Sequence, residues 1–322
     1  MEDSVYIIPS TLEQQPGQLW AIVLAAGAGR RTQPFVRERL GQNKPKQYCA
    51  FTGTRSMFQH TIDRISHLIP LDRIVVVSTR HHQHDLYAQI ERRPVGTILF
   101  RPETDDAADD VFLPMTYILA RDPDATVAVF PADHFVYPED ALLDALERAV
   151  FASEFMVAQP ILIGTMPDDP EVKHNGIQPG RFLGWTGKYP ICAVERLLET
   201  SEQQNPGRTE RAGGLCNTMI LVTKGRRLWQ WGCESFPELM SLFERLKTAI
   251  DTPEEPRVLD CLHAAMPMQD FSVNLLQSAP MHLAVMVTRD LVWSDWNDPA
   301  RVERSLQHIG KYPAWAETAS AP

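Results

Sequence analysis

The sequence predicts an α/β protein built on an open central sheet, and two observations carry this. Short continuous apolar runs alternate with amphipathic stretches through the first half of the chain. The runs also lack polar alternation, which suits strands covered on both faces, as in a parallel sheet. The segments 19–25 (LWAIVLA), 73–78 (RIVVVS), 97–100 and 126–130 (TVAVF) read as four such strands. Between them, Ser56 is placed to cap a helix over 56–68, with Met57, Thr61, Ile65 and Leu68 on one stripe. A second helix is expected over 138–150, with Leu142, Leu143, Leu146 and Val150 apolar. Strand–helix alternation of this kind implies right-handed crossovers.

Beyond residue 155 the pattern turns mixed. Strands are expected at 157–164, 215–222, 282–287 and 291–293, and helices at 226–250, 257–266 and 299–309. The polar stretch 199–214 reads as an exposed loop. Residues 1–17 and 311–322 read as tails, leaving one continuous domain over 18–310. No internal repeat is visible, and no hexapeptide array that would build a β-helix.

Composition narrows the function. The chain has 322 residues, 44% of them hydrophobic, enough to bury a full core. Its net charge of -10 argues against a general nucleic-acid binder, which normally presents a basic face. No apolar stretch approaches the ~18 residues of a membrane span. The segment 1–18 lacks the basic and apolar regions of a signal peptide. The 5 cysteines are scattered, with no C-x-x-C pair, which suits reduced thiols and a cytoplasmic location.

The first strand runs into Ala26-Gly27-Ala28-Gly29-Arg30-Arg31. Small residues there let backbone N–H groups approach a phosphate chain, and the arginines add charge. A dinucleotide fingerprint would need a third glycine where Thr32 stands, and a P-loop would need Gly-Lys-Ser/Thr. Taken alone, the motif is equally a tight strand-to-helix turn. Lys44-Pro45-Lys46-Gln47 follows within one loop, and Pro131-Ala132-Asp133-His134 ends the fourth strand. An aspartate at the carboxyl end of a parallel strand faces the crevice where open α/β sheets bind ligands.

The stretch LAAGAGRRTQPFVRERLGQNKPKQ resembles the opening of the sugar-phosphate nucleotidyltransferases, L-A-G-G-x-G-T-R-L-x-P-L…P-K-Q, and is most similar to the mannose-1-phosphate guanylyltransferase branch. The resemblance implies a Rossmann-like, GT-A-like fold with a mixed, mostly parallel sheet flanked by helices. It implies transfer of a nucleotidyl group from a nucleoside triphosphate, with GTP favoured, to a sugar 1-phosphate, with mannose 1-phosphate favoured. On it, Ala26, Gly27, Gly29 and Arg30 bind nucleotide, and Arg31, Lys46 and Asp133 are catalytic. Asp133 resembles the metal aspartate of the family's P-A-D-H segment, and Asp295 in Trp293-Ser294-Asp295-Trp296 resembles that of W-x-D-x-G. Together they would hold Mg²⁺. Glu195, Arg196 and Asn217 stand where the family contacts the sugar phosphate. The resemblance also allows a homodimer.

Several positions depart from the family pattern. Arg30 replaces a Thr, Asn297 a Gly, Cys216 a Trp, and the proline after Glu195-Arg196 is missing. Lys173–Ile177 matches its family segment poorly, and the acidic run 105–110 stands where a neutral nucleotide-contacting run is usual. Aspartates there would repel a triphosphate unless they face solvent or hold a cation. A catalytically silent paralogue that senses a sugar nucleotide therefore stays open. A glycosyltransferase would want an Asp-x-Asp at a strand end, which this run does not supply. His81, His82 and His84 read as a solvated helix start, Trp229 and Trp231 as core, and Arg37-Glu38-Arg39 as a solvated loop.

Overall fold

A computed structural model describes residues 6–7, 18–91, 93–101, 108–156, 159–167, 175–198, 214–265 and 269–318. The short strand β1 (Tyr6–Ile7) lies inside a segment that reads as a tail in sequence, and pairs at the sheet edge. Four parallel strands lie side by side in the first half: β2 (Leu19–Leu24), β3 (Ile74–Thr79), β4 (Thr97–Arg101) and β5 (Thr126–Pro131). Residues 74–79 of β3 are buried without exception, as expected of a strand packed on both faces. A separate short strand, β6 (Phe135–Tyr137), follows β5. The main sheet then continues through β7 (Ile161–Thr165), β8 (Gly176–Thr186), β9 (Tyr189–Leu198), β10 (Leu215–Lys224) and β11 (Ala284–Thr288). Its order is β1-β8-β9-β11-β7-β10-β5-β2-β3-β4, ten strands among the described residues. Antiparallel β10 joins the two halves, pairing with β5 on one side and β7 on the other.

Helices cover both faces: α1 (Gln33–Leu40), α2 (Met57–Ile65), α3 (Gln83–Ile90), α4 (Asp109–Arg121) and α5 (Glu139–Phe155) come first. Then follow α6 (Gly225–Ser235), α7 (Pro237–Ala249), α8 (Glu255–Ala265), α9 (Pro299–His308) and α10 (Ala314–Thr318). Two large apolar clusters lie on opposite faces of the sheet, and a third ties Phe35, Phe51, Trp296 and Leu306 together. Among the described residues no helix is long and apolar enough to cross a membrane.

The differences from expectation have local causes. The single helix expected over 226–250 is two, because Pro237 cannot donate into a continuing helix and opens α7 instead. Arg37-Glu38-Arg39 is exposed but helical, in α1, which Gly41 ends in the left-handed region at φ 64°. His82 is buried, not solvated. It lies 3.1 Å from Thr79 Oγ1 and packs edge-on to Tyr48. The long β8–β9 hairpin carries no expectation, because register shifts between residues 178 and 184 break its alternation. Trp229 and Trp231 are core, as expected. Residues 199–213, most of the polar loop, and 157–158 of the expected strand lie outside the described residues.

Ser56 forms the cap that the sequence proposes for α2. Its Oγ accepts from the Gln59 N–H at 3.1 Å, while the Gln59 side chain accepts from the Ser56 N–H. Ser56→Ala should cost about 1 kcal/mol. Thermal unfolding should show a fall of about 2 °C in a protein of this size. No shift would mean that packing alone fixes the start of α2.

Candidate active site

The site assembles at the carboxyl ends of two neighbouring parallel strands. Leu24 of β2 pairs with Pro131 of β5, and the Ala132 N–H donates to Leu24 O at 3.0 Å. The glycine loop and Asp133 therefore leave the sheet side by side. Within the loop Gly29 has φ 63°, and an added Cβ would meet Thr32 Oγ1 at 3.1 Å and the chain at Pro45–Lys46. Buried Gln47 braces the loop from beneath, donating from Nε2 to Ala25 O at 3.0 Å and Gly27 O at 2.8 Å. Tyr48 Oη and Gln33 Nε2 take up the carbonyls of Ala25 and Ala28. Among the described residues the Gly27 and Gly29 amides meet no acceptor, so both donors are left for solvent or a ligand. Ala26 is buried, whereas Arg30 and Arg31 are exposed in the turn before α1.

Asp295 arrives from the far end of the chain. Antiparallel pairing of β12 (Val292–Ser294) with β6 sets Ser294 opposite Phe135. One step further along this two-stranded ribbon brings Asp295 beside the Asp133-His134 pair. Lys46, only 2% exposed, ties the arrangement together. Its Nζ lies 3.0 Å from Asp133 Oδ2, donates to Asn297 Oδ1 at 3.1 Å and donates to the backbone carbonyl of Asp295. All three ammonium protons thus have acceptors.

The charges are consistent with two ionised carboxylates. Burial opposes ionisation of Asp133, but Lys46 and His134 outweigh it and hold its carboxyl below the usual carboxylate range. Burial likewise opposes ionisation of Asp295, and the hydrogen bond and charge of Arg301 prevail. Burial keeps the His134 imidazole below its ordinary pKa despite Asp133. Its Nδ1 lies 3.1 Å from Thr218 O, and its ring meets Trp293 edge-on.

Asp133 and Asp295 fit a hard cation such as Mg²⁺, which takes one or two carboxylates and completes its shell with phosphate oxygens and water. Among the described residues no third His, Cys, Asp or Glu joins them, which disfavours a protein-only cage. Asp133 keeps a side chain 34% exposed on the open side, whereas Asp295 shares its oxygens with Arg301 and Asn297. Gln47, Asn297 and Arg301 escape sequence reading. The Gln47 position, inside the Pro-Lys-Gln segment, and the Asn297 position, where the family pattern has a Gly, offered a signal; Arg301 offered none.

The sugar-side residues divide. Asn217 is buried on β10, donates from its N–H to Asn175 O at 2.9 Å, and holds the Met219 N–H with its Oδ1 at 2.9 Å. That contact accompanies a left-handed Met219 at φ 57°. Asn217 lines a cavity of about 190 Å³ with Asn175, Met219 and Gln277. Glu195 and Arg196 are exposed on β9, Arg196 opposite Gln178, and neither lines that cavity. In the acidic run, Asp105 and Asp106 lie outside the described residues, as do Lys173 and His174. Asp110 is neutralised by Arg101, whose Nη2 donates to it at 3.0 Å, while burial raises the pKa of Asp109.

Both site carboxyls titrate lower in the folded than in the unfolded chain. The stability they contribute is therefore complete above the unfolded value of about 4 and is lost as pH falls through their folded values. Urea unfolding of Asp295→Asn should show a shallower loss of stability than the wild type between about pH 5 and pH 3. An unchanged acid slope would show that Arg301 does not hold Asp295 ionised.

Residues 20–174 match the family described as Nucleotidyl transferase. The alginate biosynthesis protein AlgA of Pseudomonas fluorescens is 29% identical over 279 residues, 85% of this chain and 55% of its own length. The mannose-1-phosphate guanylyltransferase of Escherichia coli is 23% identical over 285 residues, 86% of this chain and 58% of its own. The chain thus spans about half the length of these curated relatives. In structure it resembles the mannose-1-phosphate geranyltransferase of Thermus thermophilus, with a TM-score of 0.73 over 89% of this chain and 79% of that one, at 22% identity. A glycine loop and an aspartate at adjacent strand ends, on a sheet of this order, agree with the match. Residues 20–174, just under half of the chain, thus match a nucleotidyl transferase domain.

Proposed function

We propose that this chain joins a nucleoside triphosphate to a sugar 1-phosphate, releasing pyrophosphate, with GTP and mannose 1-phosphate as the favoured pair. One observation carries the reading. Lys46, Asp133 and Asp295 converge from three separate parts of the sequence beside a glycine loop whose Gly27 and Gly29 amides meet no acceptor among the described residues. The names of the relatives supply the favoured base and sugar.

In the proposed reaction the loop amides of Gly27 and Gly29 hold the β and γ phosphates, with Ala26 and Arg30 alongside. Exposed Arg31 swings onto the triphosphate as charge builds on it. A sugar phosphate oxygen attacks the α-phosphorus in line, the bond to the β-phosphate oxygen breaks, and pyrophosphate leaves. No protein nucleophile is required, so the rate comes from positioning and electrostatics. Mg²⁺ held by Asp133 and Asp295 would supply positive charge to the phosphates. Lys46 keeps both carboxylates in register, and Asn217 orients the sugar phosphate. Glu195 and Arg196 would reach the sugar only from the exposed side of β9. Five free thiols agree with a reducing, cytoplasmic setting.

Pyrophosphate release, measured against a matrix of triphosphates and sugar 1-phosphates, tests the reaction. Turnover of at least one pair is expected, with reversal when pyrophosphate meets the matching sugar nucleotide. Binding without exchange in either direction would favour a silent sensor, a reading that the separation of Glu195 and Arg196 from the Asn217 cavity keeps in play.

Two variants test the roles. Asp133→Asn should abolish turnover while thermal unfolding shows the fold intact, and near-normal activity would remove Asp133 from the mechanism. Arg31→Ala should lower kcat by ~10². A rise in triphosphate KM at unchanged kcat would mean that Arg31 binds substrate and transition state alike.

A further inference from the structure

Along the edge of the sheet that carries the site, the strands run in the order β10, β5, β2, β3, β4. Asn217 on β10 and Asp133 after β5 lie on one side of the glycine loop. They are close together, since His134 Nδ1 meets the Thr218 carbonyl at 3.1 Å. A triphosphate on the loop that turns its α-phosphorus to a sugar phosphate on that side must carry its nucleoside toward the other, to the carboxyl ends of β3 and β4. Leu24 stands opposite Val77, and Thr79 opposite Arg101. Each of these parallel strand ends therefore lies about 5 Å from the next.

Arg80 is the first residue past β3. It is exposed, and among the described residues its guanidinium takes no hydrogen bond or ion pair. Arg101, at the end of β4, is by contrast buried and held by Asp110. The turn that presents Arg80 is firmly anchored. His82, two residues on, is buried, meets Thr79 Oγ1 at 3.1 Å and packs edge-on against Tyr48. Tyr48 Oη in turn lies 3.1 Å from Ser78 Oγ and donates to the Ala25 carbonyl at 3.2 Å. One buried phenol thus links the start of the glycine loop to the strand that ends at Arg80. His263, near the end of α8, is half-buried beside this turn, and its Nε2 has no hydrogen-bond partner among the described residues. Burial, helped by the Arg80 charge, holds the His263 imidazole below its ordinary pKa. A neutral ring neither pairs with the guanidinium nor repels it, so the Arg80 fork stays available.

A planar guanidinium donates two parallel N–H bonds, and guanine offers it two adjacent acceptors, O6 and N7. Adenine and cytosine carry an amino donor where guanine has O6, and thymine has a single acceptor there. We propose that Arg80 is a specificity-determining residue that reads the base of the bound triphosphate, its guanidinium donating to O6 and N7 of guanine, with His263 as the neutral wall beside it. The assignment rests on the glycine loop being the triphosphate site and is independent of the sugar phosphate used. It supplies a physical reason, in this chain's own residues, for a preference for GTP.

Isothermal titration of the wild type, Arg80→Met and Arg80→Lys with GTP, ATP and tripolyphosphate, each with Mg²⁺, tests it. The wild type should bind GTP about tenfold or more tighter than ATP. Both variants should lose that preference through weaker GTP binding, with ATP and tripolyphosphate unchanged. Position 80 is exposed, so thermal unfolding should show no shift. Equal weakening of all three probes would make Arg80 a phosphate contact, and a wild-type preference in Arg80→Lys would mean that charge alone acts there. Either result, equal binding of GTP and ATP by the wild type, or an unchanged preference in Arg80→Met would overturn the proposal while the glycine loop remains the triphosphate site. No binding of any probe by the wild type would overturn both. A GTP preference lost in both variants of a chain that never releases pyrophosphate would support Arg80 and count against the proposed reaction.

Discussion

One buried ammonium group organises the site. Lys46 has almost no contact with solvent, so each of its protons must find an acceptor within the protein, and the three acceptors come from Asp133, Asp295 and Asn297. That requirement fixes the loop after the glycine turn, the end of β5 and the turn after β12 relative to one another. It also sets the chemistry. The ammonium offsets the burial that would otherwise protonate Asp133, so a carboxylate persists where a cation can use it. Arg301 does the same for Asp295, held in turn by the N-cap residue Asp298 at 3.0 Å.

The sheet makes this convergence possible. Parallel pairing of β2 with β5 places the glycine loop and Asp133 at the same edge, as expected at the carboxyl ends of an open α/β sheet. The separate ribbon of β6 and β12 then folds the late segment back over that edge. Gln47 completes the frame by donating to the loop carbonyls of Ala25 and Gly27. Pro-Lys-Gln thus does two jobs with adjacent residues: one side chain organises carboxylates and the next braces the glycine loop.

Local charge matters more here than the acidic total. Arg101 neutralises Asp110 at the start of α4, so the acidic run is less hostile to phosphate than its sequence suggests. Exposed Arg30 and Arg31 stand outside the core, beside the loop. A few oriented groups decide the field there over a short distance.

The sequence by itself determined the strands of the first half, the capped helix at Ser56, the glycine turn and the aspartate that ends β5. These are local matters: apolar runs, a hydroxyl at a helix start and small residues in a turn act over a few residues. It also marked Asp295 and Asn217 through short motifs. Only the tertiary structure decided what those residues meet. The buried state of Lys46, the bracing role of Gln47, the grip of Arg301 on Asp295 and the exposure of Glu195 and Arg196 all depend on contacts between distant segments. Two of the three partners of Lys46 lie 249 and 251 residues away in the chain. No periodicity or spacing encodes such a meeting, because strand pairing and burial, which act across the whole fold, create it.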